Sequence, residues 1–315
     1  MRALVLDGRL SLRNDIPMPQ PMSDEALLRL RRAGVCNTDL ELIAGYKGFS
    51  GTLGHEFVAE VIQGPEMWLG QRVVGEINVG DETCDFCRRG IPSQCRHRQA
   101  IGIAGRDGAF ADYMVLPTRN LYHVSDTISD DAAVFVEPLA AALQVIEGVH
   151  VSPRDRVVVI GLGKLGMLVA QVLRLTGADV VGVVRREKQA SMLERWHIPS
   201  AAIEDLPPQR AQVVVDCTGN AEGFNAALDL IEPRGTIVLK STYAGIPPAD
   251  LSRIAVNEIR VVGSRCGPFA AALRLLEVGL VDVEALIDAR YPFELAEQAL
   301  EHAAVPGTLK VLLDF

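Results

Sequence analysis

Val157-Val158-Val159-Ile160-Gly161-Leu162-Gly163-Lys164-Leu165-Gly166 decides the fold. Four apolar, β-branched residues run into Gly-x-Gly-x-x-Gly, and Leu165 to Leu175 then carries apolar side chains at helical spacing. Val180 to Val184 is apolar again, so the glycines sit in a strand–helix–strand unit of about thirty residues, the context that gives this motif a mechanism. Gly161, Gly163 and Gly166 permit the tight turn, and with Leu162, Lys164 and Leu165 they let a pyrophosphate approach the backbone at a helix N-terminus. An ordinary turn between strand and helix is the competing reading.

The rhythm continues outward from this stretch. Val213 to Asp216 and Thr236 to Leu239 are further apolar strands with helical stretches between them, which indicates a buried parallel sheet. Toward the N-terminus the pattern changes to short strands between Gly, Pro and Asp turns, such as Phe57 to Ile62, Gln71 to Gly75 and Ala111 to Val115. Brief strands at that spacing suggest an irregular, barrel-like β domain. Ser152-Pro153-Arg154-Asp155 punctuates the chain. The expected division is 1–148 for the β domain and 149–265 for the nucleotide domain, with 266–315 returning to the first.

The second strand of the nucleotide unit ends Val183-Val184-Arg185-Arg186. An acid at this strand end would bind the ribose 2′-hydroxyl of NAD, whereas guanidinium groups suit a 2′-phosphate as forked donors. Arg185 and Arg186 therefore favour NADP(H) over NAD(H). A solvated helix start, continued by Glu187 and Lys188, is the alternative reading of the same residues.

Chemistry-bearing residues gather before the turn. Cys36, His55, Glu56 and Glu137 occur in that order, and a soft thiolate, an imidazole and carboxylates are what a tetrahedral zinc with an open position requires. Of six cysteines, Cys84, Cys87 and Cys95 lie within twelve residues, metal spacing more than disulfide spacing. Cys217 and Cys266 stand alone and read as small buried hydrophobes. The net charge of −9 argues against nucleic acid or an anionic membrane as a partner. No uncharged apolar run reaches spanning length, since Val157 to Leu173 is broken by Lys164. The opening residues lack the apolar core of a signal peptide, so a cytoplasmic location is the expectation.

Through Gly54-His55-Glu56 and Glu137-Pro138-Leu139-Ala140 the chain resembles the zinc-dependent medium-chain alcohol dehydrogenase superfamily over essentially its full length. The polyol, sugar and threonine dehydrogenase branch is the most similar. The resemblance implies an α/β protein, a Rossmann doubly wound parallel sheet beside a GroES-like, irregular β-barrel catalytic domain. It implies a catalytic zinc held by Cys36, His55 and Glu56 or Glu137, the two glutamates exchanging as ligand and water partner. Asp39 would orient His55, and Thr38 would take the substrate hydroxyl's proton. Glu41 stands where many relatives carry a histidine, and is either a proton relay or a surface charge. Relatives bind a structural zinc with four cysteines; here Asp81 takes the first place before Cys84, Cys87 and Cys95, which reads either as a zinc site of one aspartate and three cysteines or as a lobe that has lost its metal with its thiols reduced. Thr218 and Gly219 would lie near the dinucleotide, while Lys240 is without an assigned role. The implied reaction is reversible hydride transfer between a small alcohol or carbonyl substrate and the nicotinamide, in a homodimer or homotetramer. The same chemistry with NAD, and a non-catalytic NADP-binding protein, are the rival readings.

Overall fold

A computed structural model describes residues 1–242 and 249–315, and the chain divides into two compact units. One comprises Met1–Glu137 with Phe269–Phe315, the other Pro138–Pro268.

The first unit is organised on the ten-residue strand Glu25–Gly34. One edge pairs antiparallel with Glu56–Gln63. The other edge is shared: Tyr113–Pro117 takes its first half and the terminal strand Lys310–Asp314 its last three residues, both antiparallel. Alternate residues Leu28 and Leu30 point inward with Phe57, Phe110, Phe293, Val311 and Leu313, all buried in one cluster. That period of two is what a half-buried sheet requires. The register has a consequence for chemistry. Gly34 stands opposite both Glu56 and Leu312. Three strand ends therefore meet where Cys36, Glu56 and Lys310 emerge.

The second unit is a sheet of six parallel strands in the spatial order Ser200–Ala201, Asp179–Val183, Arg156–Ile160, Ala211–Asp216, Ile231–Leu239 and Arg260–Gly263. Numbered along the chain this is 3-2-1-4-5-6, the doubly wound order. Val157 to Ile160 and Val213 to Val215 are buried, so the strands read as unbroken apolar runs and not as alternations. The strand order reverses between Arg156–Ile160 and Ala211–Asp216, and ligands of such sheets bind in the crevice at that point. Among the described residues no helix is long and apolar enough to cross a membrane.

Candidate metal centres and dinucleotide turn

Cys36 precedes a short helix, Asn37–Ile43, whose third residue organises the site. Asp39 is fully buried; its Oδ2 accepts from the Cys36 backbone N–H at 2.8 Å and its Oδ1 from Gly54 N–H at 3.3 Å. One carboxylate thus pins the backbone of both donor-bearing segments. Gly54 has φ +93°, and a Cβ there would lie 2.3 Å from the Phe110 ring, so the turn that presents His55 needs glycine. Ligand atoms of Cys36, His55 and Glu56 then lie within 4.8 Å of one another.

This donor set fits zinc. His55 Nδ1 is buried without a well-formed hydrogen bond, and Asp39 Oδ1 stands 3.5 Å from it. Burial opposes charging the imidazole, but Asp39 and then Cys36 outweigh it and raise the His55 pKa well above the ordinary histidine range. Such a pocket is built for positive charge. Thr38 Oγ1 is 3.8 Å from Cys36 Sγ. Glu41, half-buried, accepts from Asn37 Nδ2 at 3.2 Å, and burial raises its carboxyl above the usual range. Glu137 opens the Val136–Gly148 helix and is not among the three grouped donors.

Sequence reasoning missed Lys310. Its side chain is buried and ion-paired with Glu56 Oε2, its Nζ lies 3.5 Å from Val35 O, and the ammonium sits 5.6 Å from the centre of the Phe135 ring. Burial opposes the charge on this ammonium, but Glu56, with Cys36 and Glu137, outweighs that and raises its pKa above the ordinary lysine value. The approach is possible because residue 34 is glycine. A Cβ there would lie 2.8 Å from Glu56 Oε2 and 2.7 Å from Val134 Cγ1.

The second cluster is Asp81, Cys84, Cys87 and Cys95, whose ligand atoms also converge within 4.8 Å. Cys95 Sγ accepts from the N–H groups of Asp81 and His97, both at 3.3 Å, and Cys84 Sγ from Cys87 N–H at 3.5 Å. Backbone N–H groups aimed at sulfur stabilise thiolates, so the loop is shaped for a metal. The N–H groups of Arg96 and Cys87 lower the Cys84 pKa, while burial pushes the Cys87 thiol up to about 12. Asp81 Oδ1 caps Thr83 and Cys84, and Oδ2 takes His97 Nδ1 at 2.6 Å, which drives its carboxyl far below the usual range. His97 was not anticipated; as an exposed residue it carried no sequence signal.

In the nucleotide unit the three glycines differ in what requires them. A Cβ on Gly161, whose φ is +89°, would lie 2.7 Å from the Cys217 carbonyl carbon, and one on Gly166 would lie 2.2 Å from Gly161 O. Gly163, the cap of the Lys164–Arg174 helix, faces open space. The first and third glycines are needed by the protein's own packing, while the second leaves room for a ligand against the backbone. Thr218 donates N–H and Oγ1–H to Asp216 Oδ1 at 2.8 and 2.7 Å, and Gly219, at φ +73°, continues that loop beside the turn. Arg185 and Arg186 are exposed after Asp179–Val183. Gln189 ties them to the turn: its Oε1 accepts from Arg185 N–H at 2.8 Å and its Nε2 donates to Leu162 O at 2.8 Å. Lys240 proves to be a tether, its Nζ donating to Ala141 O at 2.6 Å, Arg265 O at 3.0 Å and Ser264 Oγ at 3.2 Å. The Cys217 thiol is free and half-buried, and burial pushes it up to about 12.

Comparison with known proteins agrees with this construction. The family model for the alcohol dehydrogenase GroES-like domain matches residues 22–126, and that for zinc-binding dehydrogenase matches residues 165–278. L-galactonate-5-dehydrogenase of Escherichia coli K12 is 28% identical over 91% of this chain and 90% of its own length. Sorbitol dehydrogenase of Halalkalibacterium halodurans is 28% identical over 94% of this chain and 93% of its own. Among solved structures, a protein assigned as a zinc-binding dehydrogenase from Sinorhizobium meliloti 1021, bound to NADP, superposes with a TM-score of 0.91 at 27% identity, covering 100% of this chain and 99% of that one. The chain belongs to the zinc-containing medium-chain alcohol dehydrogenase superfamily and is an oxidoreductase acting on CH–OH groups.

Proposed function

We propose that the chain interconverts a polyol or sugar-type secondary alcohol and its ketone with NADP(H), using Cys36, His55 and Glu56 as its catalytic metal donors. The observation that carries this reading is the convergence of those three ligand atoms beside Thr38, with Asp39 fixing both segments. Zinc, when bound, supplies a Lewis acid that lowers the pKa of a substrate hydroxyl. The rest is done by side chains. Cys36 binds as thiolate and His55 as neutral imidazole, its Nδ1 proton directed at Asp39 so that Nε2 keeps its lone pair. The Thr38 hydroxyl accepts the substrate proton, and Glu41, one helical turn on, is the next acceptor toward solvent. Glu137 would be the alternative carboxylate donor to Glu56. Asp81, Cys84, Cys87 and Cys95 hold a second, structural zinc, with His97 orienting the Asp81 carboxylate.

In the nucleotide unit, the open space at Gly163 receives the pyrophosphate and Thr218–Gly219 flank it. Arg185 and Arg186 receive the 2′-phosphate, since neither guanidinium has an acid standing where a ribose-binding carboxylate would repel that group. The NADP-bound relative supports this choice. The subunits pair through the edge strand Arg260–Gly263. Val261 there is 39% exposed, and Leu251 and Val256 of the neighbouring helix are 71% and 81% exposed, apolar area that a homodimer would cover.

The test is steady-state kinetics on a panel of polyols, sugar acids and sugar phosphates with each cofactor. A kcat/KM favouring NADP by roughly tenfold or more, reduced for NADP alone in Arg185→Ala, supports the reading, since one charge-assisted contact is worth that much. Preference for NAD, unchanged in Arg185→Ala, rejects the cofactor assignment.

A further inference from the structure

The glycine turn and the end of the second strand are separate in sequence, and one side-chain amide joins them. Gln189 is the third residue of the helix Glu187–Arg195 and is half-buried. Its Oε1 accepts from the N–H groups of Arg185 at 2.8 Å and Arg186 at 3.2 Å, and its Nε2 donates to Leu162 O at 2.8 Å. The first two bonds cap a helix start, where backbone donors lack partners. The third does not, because no helix start needs Leu162 O. A glutamate at this place could cap but not donate, and a lysine could donate but not accept; an amide does both. The peptide it grips is the one that sets the turn. Gly163 N–H donates to Gly161 O at 2.9 Å, so the Leu162–Gly163 peptide is held at both ends. That peptide leads into the helix Lys164–Arg174, whose first turn is where a pyrophosphate is read. Leu193 lies one turn on from Gln189 on the same helix face. A Cβ on Gly182 of the second strand would lie 2.4 Å from Leu193 Cδ1 and 3.0 Å from Leu162 Cδ1, so glycine there lets both leucines close over the strand.

We propose that Gln189 is a positioning residue that couples the two halves of the dinucleotide site, the backbone carrying Arg185 and Arg186 to the ribose and the turn receiving the pyrophosphate. The inference rests on the dinucleotide reading given above, but not on which dinucleotide is preferred. Gln189 acts here through three backbone groups and not through contact with the ligand. A ligand that spans both halves gains from the brace, because their alignment is set by folding and not by binding. A ligand that occupies one half gains nothing from it.

The test compares the Kd of NADPH with that of adenosine 2′-monophosphate, which carries the ribose 2′-group without a pyrophosphate. Cofactor fluorescence reports the first directly and the second by displacement, in wild type, Gln189→Met and Gln189→Glu, and the thermal midpoint of each protein alone is recorded. Gln189→Met removes both functions of the amide. Gln189→Glu keeps the cap, and with it the fold, but cannot donate to Leu162 O. Losing the hydrogen bond that orders the turn is worth roughly a five- to tenfold rise in Kd. Both variants should show that rise for NADPH over and above any change for the monophosphate. Taking the ratio of the two losses cancels the effect of a new charge near the 2′-phosphate. Equal losses for the two ligands, or no loss in folded protein, would reduce Gln189 to a helix cap. If wild type binds adenosine 2′-monophosphate no better than adenosine, it is the NADP assignment that fails. NADH against adenosine then makes the same comparison, and equal losses there reject the brace.

Discussion

At the residue scale, the first metal centre is governed by two buried groups, His55 and Lys310, and the titration of His55 has opposite consequences for folding and for metal binding. The His55 pKa is raised in the folded, metal-free protein, because Asp39 and Cys36 overcome burial. A raised pKa means that its contribution to stability is fully present below the unfolded value of about 6.5 and is lost as pH rises through the folded value. Zinc needs the neutral ring, so metal binding runs the other way and strengthens as pH rises. The stabilisation conferred by zinc, read as the difference in urea midpoint between loaded and stripped protein, should therefore grow from about pH 6 to about pH 8. A difference that shrinks over that range would remove His55 from the ligand set. Lys310 gives a second residue-level expectation. Removing one partner of a buried pair costs about 3–5 kcal/mol, so stripped Lys310→Met should show that loss in denaturant melts, and Glu56→Gln/Lys310→Met should regain most of it.

At the scale of elements, the glycine turn separates packing from binding. Gly166→Ala forces a Cβ to within 2.2 Å of Gly161 O, and overpacking of that kind costs about 1–3 kcal/mol. Gly163→Ala meets nothing within 4 Å. It should leave the thermal midpoint nearly unchanged while weakening cofactor binding by roughly tenfold, because its methyl would occupy the space proposed for the pyrophosphate. Thermal melts and cofactor fluorescence titrations on the two variants make the comparison. If Gly163→Ala binds cofactor normally, the pyrophosphate lies elsewhere.

What could be read in the sequence follows from the same distinction between local and distant. The strand Arg156–Ile160, the turn and the helix Lys164–Arg174 are contiguous. Their signal is a change of period from unbroken β-branched residues to helical spacing, which any short window contains. Cys36, His55 and Glu56 were legible because each sits in a short motif. Lys310 was not. It begins an unremarkable terminal strand, and its partner Glu56 is 254 positions away, so nothing near it announces a buried charge. Gln189 and His97 escaped for a related reason. Polar residues at a helix start or on an exposed loop are common, and only the fold shows Gln189 reaching Leu162 O and His97 reaching Asp81. Lys240 has no role that the sequence assigns, because the carbonyls its ammonium meets are brought to it only by the fold.

At the scale of the whole molecule, the donors of the first metal centre all lie in the unit Met1–Glu137 with Phe269–Phe315, and the glycine turn lies in Pro138–Pro268. Each unit can be examined for its own ligand. The edge strand Arg260–Gly263 adds an expectation about assembly: Val261→Asp should shift the protein from dimer to monomer in light scattering while wild-type metal content is retained. The central claim, that this chain carries a catalytic metal at Cys36 and a separate structural one at Cys95, is tested most directly by elemental analysis. Zinc per subunit would be measured in metal-replete wild type, Cys36→Ser and Cys87→Ser. The account predicts two equivalents in wild type and one in each variant, with activity abolished in Cys36→Ser. Metal-replete wild type without zinc, or Cys36→Ser with its full complement, would contradict it.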